Sequence, residues 1–162
     1  MKIRSDYVSN SSSSSFIINF DDKGACMDDG FMKLLSHVEG ICLRGHCKSI
    51  EQMKELAERA KVVFSGESEP EVWADEDEMD IEVTVKSRNL MVENADGQIK
   101  FIKEIIDLEN SGFYAQCGDD WGDDLCNAVQ IATLIESKYK NVSIDGDDHF
   151  DYTSIRDTDL DI

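Results

Sequence analysis

Residues 79–87 read "MDIEVTVKS". Met79, Ile81, Val83 and Val85 fall on one side of an extended chain, and Asp80, Glu82, Thr84 and Lys86 fall on the other, because successive side chains of a strand point to opposite faces. Such strict alternation predicts a half-buried strand with a polar outer face, which belongs to a sheet packed on one side only. Helices that carry a single apolar stripe must then cover that one side. With the order of predicted elements along the chain, roughly β-α-α-β-(β)-α-β-α-β, the class expected is α+β: a single domain with a mainly antiparallel or mixed sheet and helices packed on one face.

Working outward, "SSFIINF" (14–20) combines β-rich apolar residues with a following "DDKG" turn signal and predicts a first strand. From Asp28 to about Leu43, the apolar residues Phe31, Leu34, Leu35, Val38, Ile41 and Cys42 recur at helical spacing, with Gly45 as the stop. Ser49 is a good N-cap for a second helix lined by Ile50, Met53, Leu56, Ala57 and Ala60. The stretch 64–78, "FSGESEPEVWADEDE", is expected to be a mobile acidic loop holding Pro70, the single proline. "LMVENADGQI" reads as a hairpin continuation with its turn at Asp96-Gly97. Gln98 to Leu108 is expected to be a helix ended by Asn110 to Gly112. "GFYAQC" then predicts a strand in which one of Phe113 and Tyr114 faces the core, Leu125 to Tyr139 a helix, and "NVSID" a last strand. The domain boundaries expected are a serine-rich leader over 1–13, the α+β domain over 14–155 and an acidic tail over 156–162.

The chain has 162 residues, 41% of them hydrophobic, enough for one core. No apolar run reaches the roughly 18 residues of a membrane span, and serines stand where a secretory signal needs apolar residues. A soluble, cytoplasmic protein is expected. The five cysteines are odd in number, which fits reduced thiols better than a disulfide framework. Cys42 and Cys47 flank His46 in a C-x4-C pair, but structural zinc sites repeat tighter C-x2-C pairs, so free thiols are the expectation here.

Charge is distributed unevenly. Residues 1–66 hold nine Lys/Arg and nine Asp/Glu, whereas residues 67–162 hold seven and 26, so the later segment carries the whole formal charge of −19. An acidic excess of this size opposes direct binding to nucleic acid or anionic lipid and favours a protein with a basic surface, divalent ions, or simple solubility. The acids of "ESEPEVWADEDEMDIE" supply candidate partner-binding residues Asp75, Glu76, Asp77, Glu78, Asp80 and Glu82, with Trp73 and Trp121 as apolar anchors.

"CGDDWGDDLCN" (117–127) sets Asp119, Asp120, Asp123 and Asp124 before a predicted helix. Carboxylate oxygens are what Ca²⁺ or Mg²⁺ would take, although the spacing is not that of an EF-hand loop. With His149 of "IDGDDHFDY" the group would make a metal-dependent hydrolase site. Helix capping and solvated charge explain the same aspartates without a metal. Phosphate-cradling and nucleophile-elbow motifs do not occur.

The opening "MKIRSDYVSNSSSSSFII" resembles a segment, approximately R-x-D-[FY]-V-[ST]-N-S-S-S-S-S-F, at the start of many uncharacterised proteins of gut-type Gram-positive bacteria and their phages. Arg4, Asp6, Tyr7, Val8, Ser9, Asn10, Ser11 to Ser15 and Phe16 carry the match. The resemblance covers about 18 residues and implies a shared source or handling signal, with no catalytic residue to carry over. Three functional readings follow. The first is an acidic protein-binding module, encoded by a mobile element, that inhibits by occupying the basic nucleic-acid-binding cleft of a partner. The second is a divalent-metal protein or hydrolase built on Asp119–Asp124 and His149. The third is a housekeeping binding module whose charge serves solubility alone.

Overall fold

The computed structural model describes residues 15–116 and 123–146, the backbone alone for 123–129. The chain runs β1 (Ser15–Phe20), α1 (Asp29–Leu35), β2 (Gly40–His46), α2 (Ile50–Val63), β3 (Glu71–Asp75), β4 (Asp80–Lys86), a 3₁₀ turn (Ser87–Asn89), α3 (Asp96–Ile106), β5 (Glu109–Gln116), α4 (Asp123–Lys138) and β6 (Val142–Gly146). The six strands form one antiparallel sheet in the order β3-β4-β2-β5-β1-β6. The fold is α+β, as the order of the predicted elements implies.

The alternation in 79–87 fixes the core face. Ile81, Val83 and Val85 are fully buried and stand opposite Gly45, Leu43 and Ile41 of β2. Leu43 and Ile41 in turn stand opposite Phe113 and Ala115 of β5, and Ala115 pairs with Phe16 of β1. Packed against these apolar rows are Phe31, Met32 and Leu35 of α1, Met53, Leu56 and Ala60 of α2, Ile99, Ile102 and Ile105 of α3, and Ile131 and Ile135 of α4. At roughly 25 cal/mol per Å² of apolar surface removed from water, this single layer supplies most of the drive to fold.

Local caps start α1 and α2, and longer-range polar bonds tie α1, α2 and α3 together. Ser49 caps α2 by accepting the Gln52 N–H at 3.1 Å, while Gln52 Oε1 accepts the Lys48 N–H at 2.7 Å, so two otherwise orphaned donors are satisfied. Asp28 caps α1 through Phe31 N–H at 2.9 Å. The neighbouring Asp29 reaches out of its own helix to accept the Asn94 and Ala95 N–H groups, both at 3.1 Å, at the start of α3. Arg59 of α2 places both terminal nitrogens on the Glu104 carboxylate of α3, at 2.7 and 3.0 Å. Buried Gln98 ties the same helices to the 3₁₀ turn: its Nε2 donates to Val63 O and Asn89 O, and its Oε1 accepts the Met91 N–H.

Expectations for four segments are corrected. The helix expected over Asp28–Leu43 ends at Leu35, and its second half is β2. Gly45 therefore lies inside a strand, where a Cβ would stand 2.7 Å from Leu108 Cδ1; it lets α3 come down onto the sheet rather than stopping a helix. The acidic loop expected over 64–78 contains β3, which pairs in full register with β4. Asp96-Gly97 opens α3 instead of turning a hairpin, and Asn110 to Gly112 belong to β5.

Candidate edge-hairpin site

The acid run of residues 75–78 is the connection of a hairpin at the edge of the sheet. β3 has β4 on one side and, among the described residues, no strand on the other. The connection is tightly held. Asp75 Oδ1 accepts the Asp77 N–H at 2.9 Å and the Glu78 N–H at 3.4 Å, an Asx-type turn in which a side chain stands in for backbone. Asp75 O accepts the Met79 N–H at 2.6 Å, and Met79 O accepts the Cys47 N–H at 2.7 Å from just beyond β2. Met79 adopts φ +57° to close the turn, a left-handed conformation uncommon for a residue with a Cβ.

Glu76 and Asp77 are exposed, and Asp75 and Glu78 are half-buried. Glu76 lies 3.7 Å from Lys54 in an ion pair that is open to water on both sides, which is worth little because solvent screens it. Trp73 is half-buried on the face away from the helices, next to Glu71 and Asp75 in the strand alternation. The structure thus brings Trp73, Asp75, Glu76, Asp77 and Glu78 together on one hairpin.

Asp80 and Glu82 do not join them. Their exposures are 8% and 2%, so the outer face of β4 is more enclosed than its polar sequence predicts. Asp80 Oδ1 is 3.0 Å from His46 Nδ1 on β2. Glu82 stands in a row across four strands, Trp73, Glu82, Arg44 and Gly112. Arg44 extends over the Tyr114 ring, 5.0 Å from its centroid, and a Cβ at Gly112 would lie 2.9 Å from both Arg44 Nε and the Tyr114 hydroxyl. Glycine at 112 therefore makes room for the pair. Burial raises the Tyr114 pKa above its ordinary value, with the Arg44 charge opposing, so the ring is a neutral phenol at physiological pH. Among the described residues this cluster lies on the face of the sheet opposite the helices, in the same cross-strand row as Trp73.

The sequence did not point to Arg44 and Tyr114 as neighbours, because the residues around Arg44 read as the end of a helix. Alternation in "GICLRGH" was the available signal, with Ile41 and Leu43 inward and Cys42, Arg44 and His46 outward. Cys42 and Cys47 part company for the same reason: Cys47 joins the core cluster, and Cys42 lies on the opposite face. Cys47 is a thiol whose pKa is raised by burial and then by the nearby Asp80 charge. Among the described residues no group of three or more His, Cys, Asp or Glu side chains is placed to hold a metal.

Trp121, Asp119, Asp120 and His149 lie outside the described residues, as do the leader 1–13 and the tail 156–162. Asp123 and Asp124 occupy the first two positions of α4, a helix that packs on β6 and α1, and β6 is the sheet edge opposite β3. Among the described residues no helix is long and apolar enough to cross a membrane. No family model, curated protein or solved structure matches the chain.

Proposed function

We propose that the protein is an acidic protein-binding module whose β3–β4 hairpin engages a basic surface on a larger partner. The observation that carries this reading is the Asp75-capped turn. It holds consecutive carboxylates at a sheet edge, with Glu76 and Asp77 exposed and Trp73 beside them. Carboxylates fixed by a turn lose less conformational entropy on binding than those of a flexible tail, and the aromatic ring adds an anchor that charge alone does not provide. A Lys/Arg cleft built for phosphates is the partner surface best matched to such an array, so inhibition by occupying a nucleic-acid-binding cleft is the specific form we favour. Cys26, Cys42 and Cys47 form no disulfide, which suits a reducing, cytoplasmic setting.

The test must separate this hairpin from the general charge of the chain. Affinity for an oligoarginine peptide is measured at low salt for Glu76→Gln/Asp77→Asn and for Glu58→Gln/Glu93→Gln, a control that removes the same charge from exposed positions elsewhere. The hairpin pair should weaken binding at least several-fold more than the control pair. Equal losses would reduce the acidity to a diffuse property and remove the assignment.

A further inference from the structure

We propose that β3 is an open sheet edge that accepts an extended basic segment of the partner as a seventh strand. This rests on the reading of the hairpin as the partner-facing element and adds how the partner is held. Three observations converge on it. The first concerns the backbone: among the described residues, no hydrogen bond outside the ladder to β4 reaches the main chain of Glu71, Val72, Trp73 or Ala74. In an antiparallel strand alternate residues direct both N–H and C=O to one side, so among the described residues the outer side of β3 carries a row of donors and acceptors with no partner strand, the template for strand addition.

The second concerns side-chain order. Glu71, Trp73 and Asp75 alternate onto the helix-free face, and Val72 and Ala74 onto the other. Cross-strand neighbours stand about 4.5 to 5.5 Å apart and reward opposite charge. A guest strand with Lys or Arg at its first and fifth positions, an apolar residue between them opposite Trp73, and small apolar residues facing Val72 and Ala74 is the complement. Five residues of this edge span about 16 Å, the reach of a short linear segment.

The third selects the occupant. A second copy of this chain paired antiparallel about Trp73 would set Glu71 against the other copy's Asp75 at both ends, with a net charge of −19 on each chain. Like charges directly opposite are destabilising, so the pattern that invites a basic strand turns away the strand's own twin. Pro70 stands immediately before the strand, a position that costs no ladder bond and further limits extension of the edge.

The probe is the acetylated, amidated peptide Lys-Lys-Val-Leu-Val-Lys-Lys, compared with the same peptide N-methylated at its three central residues. The unmodified peptide should slow exchange of the outward amides of β3 at least tenfold, and N-methylation should weaken binding at least tenfold. Replacing Glu71, an exposed residue, by Lys should weaken the unmodified peptide by a similar factor in a variant that keeps its circular dichroism. Equal affinity for the two peptides overturns strand addition yet leaves the acidic-surface reading standing. Failure of both peptides to bind at low salt overturns both. Protection of the β3 amides that rises with protein concentration in the absence of peptide would identify a second copy as the occupant and overturn the proposal.

Discussion

Asp75 Oδ1 accepts the backbone N–H of Asp77 at 2.9 Å, so the first acid of the run is the group that folds the run into a turn. Its role is distinct from that of the exposed acids that follow. Asp75→Ala should cost about 1 kcal/mol, the scale of a lost side-chain-to-backbone bond, and should speed amide exchange at Asp77 and Glu78. Asp77→Asn, which keeps the backbone donor, should leave stability within about 0.5 kcal/mol. Chemical denaturation of the two variants separates these outcomes, and equal stability would mean that the ladder alone shapes the turn.

Trp73 and the exposed acids should act on different steps of binding. Neutralising Glu76 and Asp77 should slow association with a basic partner more than it speeds dissociation, because exposed rim charges steer encounter, and the effect should shrink once the Debye length falls below about 8 Å. Trp73→Ala should chiefly raise the dissociation rate, as loss of an apolar anchor does. Stopped-flow rates at two salt concentrations test both, and a reversal of the two effects would contradict the division of labour.

The Tyr139 hydroxyl donates to Asp28 Oδ1 at 2.6 Å, tying the end of α4 to the cap of α1. Burial works against the Asp28 charge, but the hydrogen bonds from Tyr139 and Phe31 and the nearby Lys138 outweigh it, and the folded pKa is lowered. Because the folded pKa lies below the unfolded one, the stabilisation is present above about pH 4, the ordinary aspartate value, and is lost as pH falls toward the folded pKa. Tyr139→Phe keeps the edge-to-face contact with Phe31 at 5.1 Å and should cost about 1 kcal/mol at neutral pH. The gap from wild type should narrow as pH falls from the ordinary aspartate range toward the lowered folded pKa of Asp28, where the carboxyl takes up its proton. A gap that stays the same after the Asp28 carboxyl resonance, followed by NMR, has titrated would show that the carboxylate does not contribute.

Gly45 faces α3 where a Cβ would meet Leu108 at 2.7 and 2.8 Å and Ile105 O at 3.3 Å. Gly45→Ala should therefore destabilise by about 1 to 3 kcal/mol through overpacking, despite the usual gain from replacing glycine in a strand. Thermal melting checks the sign, and a raised midpoint would mean that α3 can retreat at no cost.

This glycine also shows where the sequence misleads. Val38, Ile41 and Cys42 extend the helical spacing of Phe31, Leu34 and Leu35 by accident of composition, because a short strand preceded by a turn can place apolar residues at the same intervals. The central strand β2 was thereby hidden, and with it the contact of Arg44 with Tyr114, which depends on strands 70 residues apart in sequence coming into register. β4, by contrast, is legible because seven residues alternate without a break. Ser49 and its helix are legible because capping is local chemistry. The acid run was visible as composition, but its rigidity was not, since it depends on β3 finding β4 as an edge partner. Burial of Glu82 was likewise invisible: alternation tells which face a side chain takes, and not how enclosed that face is.

The position at which a basic ligand lands tests the hairpin assignment most directly. Backbone amide chemical shifts of the ¹⁵N-labelled protein, followed while oligoarginine is added at low salt, report that position residue by residue. The largest shifts are predicted at Glu71–Glu78 and at the Trp73 indole, vanishing as salt rises. Shifts spread evenly over the acidic surface, or concentrated on another element while the hairpin stays silent, would contradict the assignment of the β3–β4 hairpin as the partner-binding site.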